Sequence, residues 1–269
     1  SMASTEKALE DAHIAIYLVH SMQPSTRLNQ GEFEDTDLLL ADNFSRAAQK
    51  NKLKQIIYLG GILPKDNHEI SSHLLSRYEV EMTLGARDTP LTAIRAGIII
   101  GPGGSSFKIV TNLVKNLPVM GCPQWTKSKN QPIDVFDILS LLKQCIGNPK
   151  SYNKNIEIGG KEVMTYMELL QKTSKIMHKK RLIFSLPFFS VGLSKWWVSI
   201  FGDSDINFVS PLVESLKHKM IPNDEHSSLY KINFTAIDTS IKRALTHKPP
   251  ALPTFRQLNT KKNTERSVQ

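Results

Sequence analysis

Three residues that can carry charge or move protons, His73, Arg77 and Glu81, follow one another at intervals of four. If this segment is a helix, that spacing places all three side chains on one face. An imidazole can gain or lose a proton near neutral pH, and a guanidinium can hold a phosphate or ribose oxygen. The pattern therefore has two interpretations, an acid/base site or an ordinary ladder of surface ion pairs.

The residues before this segment predict a strand that ends where such a site would lie. The apolar run Gln55–Leu59 ends in Gly60-Gly61, which is typical of a strand buried on both faces of a parallel sheet. After a short loop, a helix is predicted to begin near Glu69 and to carry the three residues. Open α/β sheets build their binding sites at the carboxyl ends of their strands, so this strand and helix together favour a site.

Strand-length apolar runs alternate with amphipathic stretches along the chain. We predict three more buried strands, at Ile14–Val19, Leu91–Ile100 and Ile156–Ile158. The predicted helices are Ser4–Asp11, Asp37–Lys50, Ser105–Asn116, Asp137–Ile146 and Thr165–Met177, the last opening with a Thr-x-x-Glu capping box. The proline-interrupted stretch Leu117–Gln131 is predicted to be an irregular loop, and a helix is predicted to begin at Ser210-Pro211. This alternation predicts an α/β fold with a doubly wound parallel sheet, followed by a smaller and mostly helical C-terminal part.

The composition is that of a globular protein. The chain has 269 residues, of which 40% are hydrophobic and 22% are charged, enough to bury a large core. No apolar run approaches the roughly 20 residues of a membrane span, and the polar stretch Ser1–Glu10 has no signal-peptide pattern. Cys122 and Cys145 lack the spacing of metal ligands, so we predict free thiols, a cytoplasmic location and no metal site.

The formal net charge of +9 makes nucleic acid a partner to consider. Much of the excess positive charge lies in the turn Lys179–Arg181 and near the C-terminus, at Lys261–Arg266. The sequence has neither a helix-turn-helix signature nor the interleaved aromatic and basic residues of single-strand binders. Nucleic-acid binding is therefore not favoured.

The segment Phe188–Phe201 is unusually aromatic and contains Lys195. Aromatic residues beside a lysine are typical of a helix that lies at a membrane surface. A helix that packs on the sheet is the favoured interpretation, and peripheral membrane association is the alternative.

Seven segments, in this order, resemble a known family: HIAIYLVHSM, ADNFSRAAQKNKLKQIIYLGG, SSHLLSRYEVE, LTAIRAGIIIGPGG, LPVM with PQW, QPIDVFDIL and IEIGGKEVMTYMELL. Their order and spacing are similar to those of an atypical short-chain dehydrogenase/reductase of the NmrA-like, NAD-dependent epimerase/dehydratase-like kind. The resemblance covers Ala8 to about Met220. It implies a Rossmann-like NAD(P)-binding core over residues 1–160 and a C-terminal substrate or lid region over 161–248. After Pro249-Pro250 the sequence is polar and interrupted by proline, which predicts a flexible tail over 249–269.

The glycine motif of that family does not occur in this sequence. Family members open with a strand and Gly-x-x-Gly-x-x-Gly, whose helix N-terminus holds the cofactor pyrophosphate. By resemblance, Ile14–Val19 is the family's fourth strand, so we expect an N-terminally incomplete sheet, from a fragment or a naturally truncated chain. Such a sheet would expose apolar surface on this strand, and a second copy of the chain is one way to cover it. We expect this chain to bind NAD or NADP weakly or not at all.

The proton-transfer residues of the family are also changed. Its Tyr-x-x-x-Lys reads here as His73 and Arg77, and Gly60-Gly61 replaces the serine at the end of the preceding strand. By resemblance, His73 is the acid/base. Arg77 would hold a ribose or phosphate oxygen and lower the pKa of His73 by its charge, but it cannot give up a proton.

The resemblance also implies a set of cofactor-binding positions. They are His20, Ser21 and Met22 after the first strand, Asn43 on the following helix, Gly60 and Gly61, and Ala96, Gly97 and Ile98 beside the nicotinamide. His20 is equally compatible with an ordinary loop residue, and Asn43 is equally compatible with a solvated helix residue.

Two functions of different classes follow from the resemblance. The first is an NAD(P)-binding oxidoreductase or epimerase-like enzyme that acts on an unknown small molecule through a non-standard His/Arg site. The alternative is a non-catalytic sensor, interaction or assembly protein, as NmrA-like regulators and the short-chain-dehydrogenase-like accessory subunit of respiratory complex I illustrate. Neither the substrate nor the choice between NAD and NADP follows from the sequence.

Overall fold

The computed structural model describes residues 1–20, 33–64, 70–186, 217–223 and 227–247. Its helices are α1 (Met2–Ala8), α2 (Phe33–Lys50), α3 (Ser72–Leu84), α4 (Ser105–Asn116), α5 (Val135–Cys145), α6 (Tyr166–Ile176) and α7 (Ile237–Thr246). Its strands are β1 (Ile14–Tyr17), β2 (Gln55–Gly61), β3 (Leu91–Ala96), β4 (Ile99–Ile100), β5 (Val119–Cys122), β6 (Lys129–Asn130), β7 (Ile133–Asp134), β8 (Lys154–Ile158), β9 (Met164–Thr165) and β10 (Leu182–Ser185).

The central sheet has four strands in the order β1-β2-β3-β8, and all three pairings are parallel. This confirms the predicted doubly wound parallel sheet. The register places Tyr17 opposite Tyr58 and Gly61 opposite Ala96. The carboxyl ends of β1, β2 and β3 therefore lie side by side at the same end of the sheet.

The run Leu91–Ile100 is two strands, and its prediction as one was wrong. The chain bends at Gly97, and Ile99–Ile100 then pairs in parallel with β7 outside the central sheet. A Cβ on Gly97 would lie 3.6 Å from the Cβ of Met220, so the bend also brings a distant part of the chain against the end of β3.

Helices cover both faces of the central sheet. On one face, α2 and α3 pack on Ile56, Tyr58 and Ala93. On the other face, α5 packs on a second row of strand residues that includes Ile57 and Ile94. The two rows alternate along β2 and β3, as residues of a strand buried on both sides must.

A second apolar cluster lies beside the sheet. It joins Phe107 and Val114 of α4, Leu169 of α6 and Ile241 of α7, so its residues come from both sides of residue 160, and the domain boundary there stays a prediction. The stretch predicted as an irregular loop at Leu117–Gln131 contains β5, which pairs in parallel with β10. Local signals could not predict that strand because its partner is distant in sequence.

The helix boundaries follow local capping. Thr165 and Glu168 form the predicted capping box at the start of α6. The helix that carries His73 begins at Ser72, later than predicted, because the Ser71 hydroxyl accepts a hydrogen bond from the Leu74 amide and caps it there.

The edge of the sheet at β1 exposes apolar side chains. Among the described residues, the only strand that pairs with β1 is β2. Ile16 is 42% exposed, and Leu18 and Val19, which follow the strand, are 60% and 46% exposed. The apolar surface predicted for this strand is therefore present.

Several predicted features lie outside the described residues: the aromatic segment Phe188–Phe201, the helix start at Ser210-Pro211 and the tail 249–269. Among the helices that the structure does describe, none is both long enough and apolar enough to cross a bilayer.

Candidate functional site

The carboxyl ends of β1 and β2 bring two histidines together. His20 follows β1, and His73 lies in the first turn of α3, the helix that follows β2. Their ring centroids are 5.4 Å apart, with the ring planes inclined by 49°. The sequence placed His20 with the cofactor and His73 with catalysis, and the fold puts the two side chains in contact.

A buried carboxylate holds His20. Asp37 Oδ2 lies 2.8 Å from His20 Nδ1, and the Asp37 side chain is 2% exposed. Since a carboxylate only accepts hydrogen bonds, Nδ1 of His20 carries the hydrogen and Nε2 faces away from Asp37. Asp37 was missed by the sequence reasoning because it is 17 residues from His20, and no local spacing rule connects them.

Burial lowers the pKa of His73 to about 3, with smaller contributions in the same direction from His20 and Arg77. The sequence attributed this effect to the charge of Arg77, but desolvation is the larger cause. His73 is therefore a neutral imidazole at neutral pH, able to donate from one nitrogen and accept at the other.

Arg77 fastens α3 to the end of β2. One of its guanidinium nitrogens donates to the Leu59 carbonyl at 2.8 Å, and the guanidinium lies over the Tyr58 ring, 5.4 Å from its centroid. In return, the Tyr58 hydroxyl donates to the Arg77 carbonyl at 3.1 Å. A guanidinium has five N–H donors, so this contact leaves Arg77 with further donors for a ligand oxygen.

The third residue of the predicted helix face, Glu81, has a different role. It is buried and accepts two hydrogen bonds from Arg95 of β3, at 2.9 and 2.6 Å. Arg95 also lies 3.5 Å from Glu157. The interpretation as a surface ion-pair ladder was wrong, because Glu81 pairs with the sheet and not along its own helix.

Two tyrosines line the strand ends without supplying an activated phenol. Burial raises the pKa of Tyr58 to about 12 and that of Tyr17 further still. Both phenols therefore stay protonated at neutral pH, unlike a catalytic tyrosine whose pKa is lowered by a lysine.

Three buried polar atoms around Asp37 have no hydrogen-bond partner in the part of the chain that the structure describes. They are the Tyr17 hydroxyl, His20 Nε2 and His73 Nδ1. Most buried polar groups in proteins are paired. Unpaired atoms gathered at one strand end therefore indicate a place where water or a ligand completes the bonding.

The other predicted cofactor-binding residues divide into four groups. Gly60 and Gly61 end β2 next to this site, where a Cβ would meet the Tyr58 ring at 2.8 Å and Leu74 at 3.0 Å, so glycine is required by close packing. Ala96, Gly97 and Ile98 lie at the neighbouring end of β3. Asn43 lies further along α2, and among the described residues no hydrogen bond joins it to the histidines. Ser21 and Met22 lie outside the described residues.

Within the described ranges, no group of three or more histidine, cysteine or acidic side chains is arranged to hold a metal ion.

One curated protein shares detectable sequence similarity with the chain. It is the auxiliary protein GraX of Staphylococcus aureus, which is 33% identical over 86 residues. The matched stretch covers 31% of this chain and 24% of GraX, about a quarter of that protein. No family model matches the chain.

Solved structures with the same fold include enzymes that were crystallised with NADP(H) or with NAD. Triphenylmethane reductase from Citrobacter sp., complexed with NADP(H), matches 91% of this chain and 80% of its own, with a TM-score of 0.67 and 13% identity. Enzyme WbmG from Bordetella bronchiseptica, in complex with NAD and UDP, matches 91% and 75%, with a TM-score of 0.64 and 12% identity.

A nucleoside-diphosphate-sugar epimerase from Staphylococcus aureus matches 96% of this chain and 80% of its own, with a TM-score of 0.62 and 13% identity. Identities this low show the fold alone. The chain therefore has the Rossmann-like fold of NAD(P)-binding reductases and epimerases.

Proposed function

We propose that the chain binds a nicotinamide dinucleotide, NAD or NADP, at the carboxyl ends of β1, β2 and β3. We further propose that it acts there as an NmrA-like or epimerase-like short-chain dehydrogenase/reductase on a small molecule. The observation that carries this proposal is a set of buried polar atoms at the strand ends that find no partner within the described ranges, Tyr17 Oη, His20 Nε2 and His73 Nδ1.

The place is the one where this fold holds ligands. Open α/β sheets bind them in the crevice outside the carboxyl ends of the strands, and neighbours with the same fold were crystallised with NADP(H) and with NAD. A nicotinamide ribose or a substrate hydroxyl at this position would give the unpaired atoms their partners.

In this proposal, His73 is the acid/base and Arg77 binds a ribose or phosphate oxygen through the donors that Leu59 does not use. A positioned acid/base typically contributes about 10²–10⁴-fold to a rate. The other residues proposed to border the dinucleotide are His20, Ser21, Met22, Asn43, Gly60, Gly61, Ala96, Gly97 and Ile98. The free, buried cysteines Cys122 and Cys145 favour a cytoplasmic location.

The affinity is expected to be low. The sequence contains no Gly-x-x-Gly-x-x-Gly, so it lacks that loop's backbone donors and helix N-terminus for the pyrophosphate. We therefore expect Kd values on the order of 0.1–1 mM, which correspond to about 4–5.5 kcal/mol of binding free energy.

Calorimetric titration with NADPH and with NADH tests the proposal. Arg77→Lys keeps the charge but loses the planar fork, so it should weaken binding several-fold. The matched control is Arg46→Lys on the exposed surface of α2, which should bind like the parent chain. Absence of binding at several millimolar dinucleotide, with the chain folded, would reject the proposal.

A second candidate function is that of a non-catalytic interaction protein. The apolar, exposed Ile16, Leu18 and Val19 at the β1 edge favour it, because an unpaired edge strand readily accepts a further strand. The similarity to GraX, which is named an auxiliary protein, is compatible with this class. The partner we propose is a second copy of the chain that pairs along β1.

Light scattering after gel filtration tests this second candidate. A dimer is expected, and Leu18→Lys should convert it to a monomer. Leu182→Lys is the control, because Leu182 is equally exposed, at 62%, but lies on β10, outside the central sheet. A monomer at all concentrations, or a dimer that survives Leu18→Lys, would contradict pairing along β1.

A further inference from the structure

We infer that His20, held by Asp37, is the proton reservoir of this site and exchanges protons with the substrate through His73. The inference rests on the proposed function of His73 as the group that meets the substrate. It gives His20 and Asp37 a role in proton transfer beyond lining a cofactor.

The arrangement of the three side chains carries the inference. Asp37 Oδ2 is 2.8 Å from His20 Nδ1, which fixes the hydrogen on that nitrogen. The opposite nitrogen of His20, Nε2, is buried and has no hydrogen-bond partner among the residues that the structure describes, and the same holds for Nδ1 of the neighbouring His73. With the ring centroids 5.4 Å apart, the two rings are close enough for one bridging water to connect these nitrogens.

The proton moves in two linked steps. A substrate O–H gives its proton to the lone pair of His73 Nε2, while the hydrogen on His73 Nδ1 passes to the lone pair of His20 Nε2. His73 ends neutral, with its hydrogen on the other nitrogen. His20 ends as an imidazolium beside the Asp37 carboxylate, and the reverse steps return the proton.

This route suits the environment of each ring. Burial disfavours a charged His73, and in the relay His73 never carries charge. The charge appears instead on His20, next to a buried carboxylate, where an ion pair with good geometry is favourable. Besides Asp37, the charge of Arg77 from α3 acts on His73, and the phenols of Tyr17 from β1 and Tyr58 from β2 lie within electrostatic range of Asp37.

Nitrogen-15 NMR of the histidine rings tests the relay without cofactor or substrate. In the folded chain at neutral pH, His73 should carry its hydrogen on Nδ1, facing the acceptor on His20. When acidification protonates His20, its Nε2 becomes a donor, so His73 must move its hydrogen to Nε2. We expect the tautomer of His73 to switch at the same midpoint as the protonation of His20, while His73 stays neutral.

Variants give the same test at a single pH. His20→Lys places a donor-only group beside His73, so His73 should show the switched tautomer at neutral pH. Asp37→Asn should release the tautomer of His20 into a mixture. His13, which is exposed, serves as the internal reference and should behave identically in all samples.

Two results would overturn the inference. One is a His73 tautomer that stays constant through the titration of His20, and the other is a tautomer that is the same in the parent chain and in His20→Lys. Both readouts are independent of dinucleotide binding. If the tautomer switch is absent while NADPH binds, the inference fails and the proposed function stands. If the switch is present while NADPH does not bind, the proposed function fails and the proton-transfer contact stands.

Discussion

Gln55 at the amino end of the central sheet and the two histidines at its carboxyl end differ in how far their buried polar atoms are paired. At the amino end, Gln55 is fully buried, and its amide nitrogen donates to Thr92 Oγ1 at 2.8 Å and to the Cys145 carbonyl at 2.9 Å. Its amide oxygen accepts from the Gly147 backbone at 2.8 Å. At the carboxyl end, Tyr17, His20 and His73 each keep a buried polar atom without a partner among the described residues.

We interpret this difference as one between a stabilising region and the proposed binding site. The satisfied amide at the amino end ties β2 and β3 to the end of α5. The unpaired atoms at the carboxyl end contribute no such bonds, and proteins commonly accept lower stability where a site needs groups kept ready for a ligand.

The largest expected effect is at the amino end. Gln55→Leu keeps the volume but removes the amide, so the Gly147 N–H loses its partner and is left unsatisfied. We expect a loss of about 2–4 kcal/mol in the free energy of unfolding, measured by urea denaturation. Gln49→Leu on the exposed face of α2 is the control and should change stability by less than about 0.5 kcal/mol. Equal effects would mean that the Gln55 amide contributes little.

A pH-dependent effect is expected next, at the carboxyl end. The pKa of His73 is about 3 in the folded chain against 6.5 for an ordinary histidine. Between these values the unfolded chain binds more protons, so the free energy of unfolding falls as the pH is lowered through this window. Between about pH 7 and pH 5 this group should account for a loss of about 1–2 kcal/mol.

His73→Phe should remove that part of the pH dependence, as measured by urea denaturation at the two pH values. His13→Phe, at an exposed position, should leave it intact. The same slope in the parent chain and in His73→Phe would show that His73 titrates alike in both states.

The smallest expected effect comes from two tyrosines that face each other across β1 and β2. The Tyr58 hydroxyl donates to the Arg77 carbonyl at 3.1 Å, so Tyr58→Phe should cost about 1 kcal/mol. The Tyr17 hydroxyl has no partner in the described part of the chain, so Tyr17→Phe should be neutral or stabilise the chain by up to about 1 kcal/mol. Thermal unfolding of the two variants compares them directly, and a greater loss for Tyr17→Phe would contradict the assignment.

Much of the fold was predictable from the sequence because its signals are local. Buried strands of a parallel sheet are short apolar runs, and β1, β2, β3 and β8 all lie within or close to such runs. The capping box of α6 was predictable for the same reason, since Thr165 and Glu168 are three residues apart. The break of the third strand at Gly97 and the pairing of β5 with β10 depend on distant residues and were missed.

The candidate site was predictable only in part. Helical spacing placed His73, Arg77 and Glu81 on one face, and all three do turn toward the sheet. Their partners were not predictable, because the contacts of Asp37 with His20 and of Arg95 with Glu81 join separate elements. Which groups stay unpaired depends on the whole fold and cannot be read from spacing.

We propose that the carboxyl end of the central sheet receives the nicotinamide half of a dinucleotide. Histidine ring NMR signals, recorded during separate titrations with reduced nicotinamide mononucleotide and with 2′,5′-ADP, test it most directly. We predict that the signals of His20 and His73 shift with the nicotinamide mononucleotide and not with 2′,5′-ADP, while those of the exposed His13 and His178 stay in place. No shift of His20 and His73 at millimolar nicotinamide mononucleotide, or equal shifts of all four histidines, would contradict the account.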